Sequence, residues 1–254
     1  MSSQISTHYL KSQTLFDTIN TLTAKQLKSS IQHAHRSPKM STIRSISVQP
    51  DWTETEASKN PSQMTMAMHS TFDQIIKHDH AQIVKYMTKY FEIPKVDVEN
   101  RKRHVNSIIR GLAIHSVSEE MSVYPAVEKH LPNGKDEANR LRAEHLELKK
   151  DLQRVDFMPI NDANLEPLLR KIFTEFEHHA KLEENEDFPK LRKAMSSEEA
   201  MKLGREYEDA KGASPTHPHP SAPDHGGIME KAAGMASVPL DKLIDAQREF
   251  VKED

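Results

Sequence analysis

Four histidines and two glutamates recur in this sequence as two matching sets of three. In chain order they are His80, His115, Glu119, His145, His179 and Glu183. The offset is 65 residues for the first histidine of each set (145 − 80) and 64 residues for the other two members (179 − 115 and 183 − 119). Imidazole and carboxylate are ligands that suit iron, manganese and zinc, and two carboxylates can bridge a pair of ions. The two sets therefore predict a two-metal site.

The residues around each set repeat as well. A second glutamate follows the first in both copies (Glu120 and Glu184), and an aromatic-proline pair follows at the same spacing (Tyr124-Pro125 and Phe188-Pro189). On a helix the second glutamates lie about 100° round from the first, which favours supporting or solvated charges over ligands. The aromatic side chains are most simply core residues at the bundle end, although a tyrosine beside metals could also relay an electron or a proton.

The elements that must position these side chains are helices. From about residue 65 to 195 the apolar residues follow helical spacing, in four segments with short connections. His80 fills a gap in the stripe between Ile76 and Ile83, and His145 fills a similar gap on the third segment. The pattern predicts an all-α, antiparallel up-down-up-down four-helix bundle. Pro94 should end the first helix. The second helix should stop near Tyr124-Pro125, and the fourth before Phe188-Pro189.

Helical geometry should bring the six side chains together. Positions i and i+4 lie one turn apart on one face of a helix. The pair His115 and Glu119 can therefore offer two ligands to one ion, and so can the pair His179 and Glu183. Buried polar groups without partners cost about 1–3 kcal/mol each, a penalty that bound metal removes. The alternative is a set of hydrogen-bonded core histidines with solvated glutamates, and the duplication favours the metal site over it. Asp79 and Glu144 each precede a histidine, but adjacent helical positions do not face each other, so neither is expected to orient its neighbour.

Composition narrows the class of protein. Charged residues make up 29% of the 254, the mean hydropathy is −0.72, and no apolar run approaches the length of a membrane span, so we expect a soluble, cytoplasmic protein. The absence of cysteine excludes disulfides and thiolate ligands, which leaves nitrogen and oxygen to hold any metal. A net charge of −3 gives no case for nucleic-acid or membrane binding.

Composition also predicts three regions. Residues 1–62 are rich in Ser, Thr and Gln and are expected to be a flexible extension; their shortage of acids makes a mitochondrial transit peptide an alternative. Residues 63–195 form the bundle. Residues 196–254 should begin with a helix that Ser196 caps and that runs to about Lys211.

The last part of the chain changes character again. Residues 212–227 are rich in Pro and His, and their three histidines (His217, His219 and His225) suggest a second metal site. Prolines between them prevent a shared helical geometry, so a disordered linker is the preferred interpretation. A short amphipathic segment beyond it, from Leu240 to Phe250, is expected to dock on the bundle or on a partner.

Taken together, residues 70–190 resemble the hemerythrin-like proteins with an HHE cation-binding domain. The resemblance implies a non-haem di-iron site, oxo- or carboxylate-bridged, with the six residues of the two sets as ligands and O2, NO or iron as the species handled; manganese and zinc are alternatives. Two departures stand out. The oxygen-carrying members have a fifth histidine where Lys149 stands here, and they place the last carboxylate where Glu184 stands.

Three functional classes stay open at this point. The first is a protein that binds or senses O2 or NO or that handles iron. The second is a di-iron enzyme acting on NO, peroxide or Fe(II). The third is a bundle that metal merely staples together. The sequence contains no catalytic triad, phosphate loop or dinucleotide motif that would favour a different enzyme class.

Overall fold

A computed structural model describes residues 70–222 and 238–252 of the chain. These residues form helices and connecting segments, with no strand among them. The helices are α1 (Phe72–Glu92), α2 (Val98–Met121), α3 (Val123–His130), α4 (Gly134–Asp156), α5 (Leu165–Leu182), a π-helical segment (Glu183–Asp187), α6 (Phe188–Lys193), α7 (Ser197–Ala213) and α8 (238–245). The predicted N-terminal extension, its boundary at residue 62 and His225 lie outside the described residues.

The four long helices form a closed ring, which confirms the predicted all-α bundle. Helix α1 packs on α2, α2 on α4, α4 on α5, and α5 back on α1. The short helix α3 lies along α4. Helix α7 packs against both α1 and α2 and so covers one outer side of the ring.

The second and fourth predicted helices end close to their aromatic-proline pairs, as expected. Helix α2 breaks at Ser122 (φ −124°), two residues before Tyr124, and Tyr124-Pro125 lies in the first turn of α3. Pro189 likewise lies at the start of α6. Proline is tolerated in a first helical turn because its missing N–H would have no partner there. Each proline therefore opens a new short helix.

Helix α7 begins as its sequence predicts. The Ser196 side chain accepts a hydrogen bond from the Glu199 backbone N–H, and the Glu199 carboxylate accepts one from the Ser196 N–H at 2.8 Å. This capping box satisfies two backbone donors that a helix start leaves open. Gly204 then allows a close approach to α1, since a Cβ at this position would lie 2.9 Å from the Ser70 carbonyl oxygen.

A polar layer divides the apolar core in two. One cluster includes Ile83, Leu112, Leu148 and Ile172, and the other includes Ile76, Leu141, Leu203 and Tyr207. His80 of α1 and His145 of α4 lie between these clusters, since each takes the place of one apolar residue on the buried face of its helix. The metal-ligand candidates thus sit at mid-bundle.

The prediction of a disordered linker is wrong for the part of it that the structure describes. Ser214, Pro215, His217 and Pro218 are buried. The His217 imidazole contacts the Asp156 carboxylate at the end of α4 at 2.8 Å. A charged partner far away in sequence therefore fixes a segment whose composition alone favours disorder.

The C-terminal segment docks on the bundle, but not through its leucines. Leu240 and Leu243 are 42% and 66% exposed, whereas Asp241 between them is buried and accepts from the His217 backbone N–H. Further on, the Val251 N–H donates to the Ser107 hydroxyl of α2 at 2.9 Å. Polar contacts thus dominate the docking near Asp241, while Val251 at the end of the segment packs against the apolar core.

Candidate metal centre

The structure brings the six predicted residues together in the middle of the bundle. Helices α1, α2, α4 and α5 contribute the histidines; α2 and the first position of the π-helical segment contribute the glutamates. All six side chains are buried, the most accessible residue being His179 at 6%. π-Helical segments occur often at functional sites.

The first group of potential ligands is His80, His115, Glu119 and Glu183, whose ligating atoms lie within 4.8 Å of one another. The His80 Nε2 lies 3.4 Å from a Glu183 carboxylate oxygen, and the His115 Nε2 lies 3.3 Å from a Glu119 oxygen. Both imidazoles thus turn Nε2 toward the same point.

The second group is Glu119, His145 and His179. The His145 Nε2 lies 3.4 Å from the Glu119 carboxylate, and the His179 Nε2 lies 3.3 Å from that of Glu183. Both carboxylates therefore lie between the two histidine pairs. This is the arrangement in which two carboxylates can bridge two ions.

The donor set fits a metal pair on two independent counts. His80 Nε2, His115 Nε2, Glu119 Oε1 and Glu183 Oε2 are buried atoms without a hydrogen-bond partner. Such orphaned atoms are costly unless something else binds them. In addition, neighbouring ligands with bonds of about 2.1 Å at right angles lie about 3.0 Å apart, close to the contacts of 3.3–3.4 Å observed here.

The second glutamate of each repeat supports a histidine of the other repeat. Glu184 contacts the His80 Nδ1 at 2.9 Å, and Glu120 contacts the His145 Nδ1 at 3.2 Å. A partner on Nδ1 fixes the ring and leaves Nε2 free toward the centre. These contacts agree with the predicted supporting role of both glutamates, which stays a prediction.

Asp79 and Glu144 also serve the histidines, in a way the sequence does not predict. Glu144 contacts the Nδ1 of His179 on the neighbouring helix at 2.8 Å. The equivalent contact in the first repeat is indirect: the Tyr207 hydroxyl donates to Asp79 at 2.8 Å and lies 3.2 Å from the His115 Nδ1. Each acid thus misses the adjacent histidine, as expected, but reaches one on another helix.

Tyr124 places its hydroxyl among the inner side chains. The oxygen lies 3.0 Å from the His145 Nε2, 3.3 Å from a Glu183 oxygen and 3.4 Å from a Glu119 oxygen. Burial, followed by the charges of Glu183 and Glu119, raises the Tyr124 pKa well above its usual range. The residue therefore stays a neutral phenol. Because its hydroxyl contacts the inner side chains, Tyr124 does more than fill the core, which is the role that its sequence position favours.

Burial and proximity shift the pKa values of the inner groups in opposite directions. Burial lowers the pKa of His115 well below its usual value, which keeps the imidazole neutral as a ligand must be. Burial together with the charge of Glu183 raises the pKa of Glu119. Burial lowers the pKa of His179, but Glu183 and Glu144 outweigh this effect and raise that pKa well above the usual value. Protons are thus shared among these buried imidazoles and carboxylates, which would have to give them up in order to bind a metal ion.

Lys149 is buried beside the second group and forms an ion pair with Glu120. Burial favours the neutral form of Glu120, but the Lys149 ammonium and the hydrogen bond to His145 lower its pKa below the ordinary range. Lys149 thus acts on His145 through a carboxylate, where the resemblance would place a fifth histidine.

An antiparallel ring of helices around two histidine pairs and two shared carboxylates defines a bundle protein with a candidate two-metal centre. Residues 71–191 match the model of the hemerythrin HHE cation-binding domain. An uncharacterized hemerythrin-like protein of Schizosaccharomyces pombe is 37% identical over 155 residues, which cover 61% of this chain and 76% of the relative. The chain belongs to the hemerythrin HHE cation-binding domain family. No solved structure gives a significant match.

Membership of this family implies metal-ion binding, in agreement with the geometry of the His and Glu groups. Within the part of the chain that the structure describes, no helix has the length and apolar character needed to cross a membrane.

Tyr207 is the residue of the site that sequence reasoning missed altogether. It lies on α7, 92 residues after His115 and beyond the residues that the family model matches. Only its place on the apolar face of a predicted helix signals that it is buried.

Proposed function

We propose that the chain is a non-haem di-iron protein in which His80, His115, Glu119, His145, His179 and Glu183 hold two metal ions. The observation that carries the proposal is the pair of carboxylates, Glu119 and Glu183, between two pairs of Nε2 atoms that converge on them. Glu184 supports His80 from outside instead of acting as a ligand.

Iron is the metal we favour, with manganese and zinc as alternatives. Nitrogen and carboxylate oxygen without sulfur suit iron and manganese pairs that keep open positions. When bound, such a pair supplies two adjacent centres for redox chemistry and for binding small ligands. The protein's own contribution is a dry, rigid pocket in which each imidazole is oriented from outside.

The function we propose is the binding or sensing of O2 or NO, or the handling of iron. Lys149 supports this over simple oxygen carriage, because it occupies the position of a fifth histidine and leaves the second ion with fewer nitrogen ligands. A metal-stapled bundle without ligand chemistry is the contrasting outcome.

An enzyme acting on NO, peroxide or Fe(II) is a second candidate. The observation that favours it is the Tyr124 hydroxyl, which lies within 3.4 Å of both carboxylates. A phenol at this position would be placed to donate a proton to a small molecule held at the centre. Many turnovers of NO or peroxide per protein, slowed in Tyr124→Phe, would favour the enzyme over the sensor.

Metal content measured by plasma mass spectrometry tests the site. We expect about two iron ions per chain in protein purified from iron-supplemented cells, and loss of iron in Glu119→Ala and Glu183→Ala. Glu184→Ala should retain metal with weaker affinity.

The matched control is Glu147→Ala on α4, whose side chain is 69% exposed and pairs with Lys150. This variant should keep full metal content. A wild-type protein that binds no iron, manganese or zinc would overturn the proposal.

A further inference from the structure

Helix α7 lies outside the residues that the family model matches, yet it reaches the metal centre. Its Tyr207 is fully buried. The Tyr207 hydroxyl lies 3.2 Å from the His115 Nδ1 and donates a hydrogen bond to the Asp79 carboxylate at 2.8 Å. The Asp79 carboxylate is in turn held by the Lys211 ammonium, also on α7, at 3.0 Å.

The direction of these hydrogen bonds fixes the tautomer of His115. A phenol has one proton to give, and the Asp79 carboxylate takes it because an ionised carboxylate only accepts. The Tyr207 oxygen is then left as an acceptor, so His115 must donate from Nδ1. Its Nε2 is therefore a bare lone pair, and this is the atom that is buried without a partner beside Glu119.

The other three inner histidines have a carboxylate directly on Nδ1. These partners are Glu184 for His80, Glu120 for His145 and Glu144 for His179. In the first repeat the residue that matches Glu144 is Asp79, whose side chain is one methylene shorter. The Tyr207 phenol fills the gap that this shorter side chain leaves.

We propose that Tyr207 is a positioning residue for His115, and that α7 is for this reason part of the metal centre. The proposal deepens the proposed function, since it assigns the group that orients one ligand of the pair. A neutral phenol is a weaker acceptor than a carboxylate, so His115 should be the least electron-rich of the four imidazoles and its ion should differ from the other.

The first test needs no metal. In the metal-free full chain with 15N-labelled histidine, we expect NMR to show His115 as the Nδ1–H tautomer. Tyr207→Phe, which keeps the ring and removes only the hydroxyl, should shift His115 toward a mixture of tautomers. Asp79→Asn, a change of similar size on α1 that leaves the Tyr207 ring in place, tests the same hydrogen-bond chain and should disturb the tautomer as well.

The matched control is Tyr90→Phe. Tyr90 is also fully buried and its hydroxyl also contacts a charged side chain, accepting from Arg101 at 2.5 Å, but in the cluster that does not include Tyr207. This variant should leave the His115 signals unchanged. A wild-type tautomer in both Tyr207→Phe and Asp79→Asn would overturn the proposal.

Anaerobic Fe(II) titration is the second readout. Loss of an outer partner of a metal-bound histidine typically weakens metal affinity about 10–100-fold, and we expect this for Tyr207→Phe but not for Tyr90→Phe. If Tyr207→Phe binds Fe(II) as tightly as wild type, the positioning role is wrong. If the wild type itself binds no metal, the proposed function fails, while the tautomer measurement still decides the role of Tyr207.

Discussion

The side chains of the candidate centre form two layers, an inner layer of potential metal ligands and an outer layer of residues that contact the histidine Nδ1 atoms. The inner histidines present Nε2 to two shared carboxylates, and each Nδ1 has its own outer partner. The inner layer is predictable from sequence because it repeats and because each member interrupts an apolar stripe. The outer layer is predictable only in part. The supporting role of Glu120 and Glu184 follows from their place beside the inner glutamates, whereas Glu144 and Asp79 act on histidines of other helices and helical spacing gives no sign of such pairing.

The ion pair of Lys149 with Glu120 gives a test at this scale. Both side chains are at least nine-tenths buried, so Lys149→Met should leave the Glu120 carboxylate in the core without its cationic partner. Removing one partner of a buried pair costs about 3–5 kcal/mol, and we expect a loss of this size in the free energy of unfolding. Urea denaturation of the metal-free protein measures it.

The double variant Lys149→Met with Glu120→Gln controls for simple loss of packing, because it removes both charges. It should be more stable than Lys149→Met alone. Equal stabilities of the single and double variants would show that the buried charge is not the cause.

At the scale of elements, α7 is the unexpected contributor. Its start and length follow from the capping box at Ser196 and from its apolar spacing. What sequence cannot supply is where it docks, because the contact with α1 depends on Gly204 and that with the centre on Tyr207, both distant in sequence from their partners.

Gly204→Ala should move α7 away from α1. The added Cβ would meet the Ser70 carbonyl oxygen at 2.9 Å and the Phe72 backbone nitrogen at 3.2 Å, and backbone atoms cannot step aside as side chains do. Overpacking of this kind costs about 1–3 kcal/mol, measured as a lower unfolding free energy in urea. Gly212→Ala on the same helix is the control, since its Cβ would meet nothing within 4 Å; equal losses in both variants would contradict the argument.

The docked C-terminal segment should respond to pH through His217. Burial opposes its charged form, but the hydrogen bond and charge of Asp156 raise the His217 pKa above 6.5. A raised histidine pKa gives stabilisation that is complete below about pH 6.5 and is lost as pH rises through the folded value. Asp245 also contacts this imidazole, at 3.1 Å, while Arg248 opposes its protonation.

Hydrogen exchange at the Val251 amide reports this docking, because that N–H donates to Ser107. Protection, corrected for the intrinsic pH dependence of exchange, should fall above neutral pH in wild type. His217→Gln should lose the pH dependence, and His178→Gln, a change at an exposed position on α5, should keep it. A flat profile in wild type would rule out the histidine as the cause.

At the scale of the whole molecule, the polar layer is the weak point of the core. It separates two apolar clusters, and its unpartnered atoms oppose folding until something binds them. Composition predicts a helical protein, and the repeats predict where its centre lies. The burial of the Pro-His segment cannot be predicted in this way, because its aspartate partners lie 22–61 residues away in sequence.

Metal binding should therefore stabilise the fold. A ligand at 1,000 times its Kd that binds only the native state adds about 4 kcal/mol to the free energy of unfolding. We expect Fe(II) under anaerobic conditions to raise the urea midpoint of the wild type. The Glu119→Ala variant should show no such rise; a metal-dependent rise of equal size in that variant would place the stabilising ion elsewhere.

The exchange of outer glutamates between the repeats also gives the candidate centre an internal symmetry. Glu120 of the first repeat contacts His145 of the second, and Glu184 of the second repeat contacts His80 of the first. Reciprocal contacts of this kind are the mark of a two-fold symmetric interface. The two halves of the centre are thus related by an approximate two-fold symmetry, and Tyr207 lies where the outer partners depart from it, because it stands between His115 and Asp79 while Glu144 reaches His179 directly.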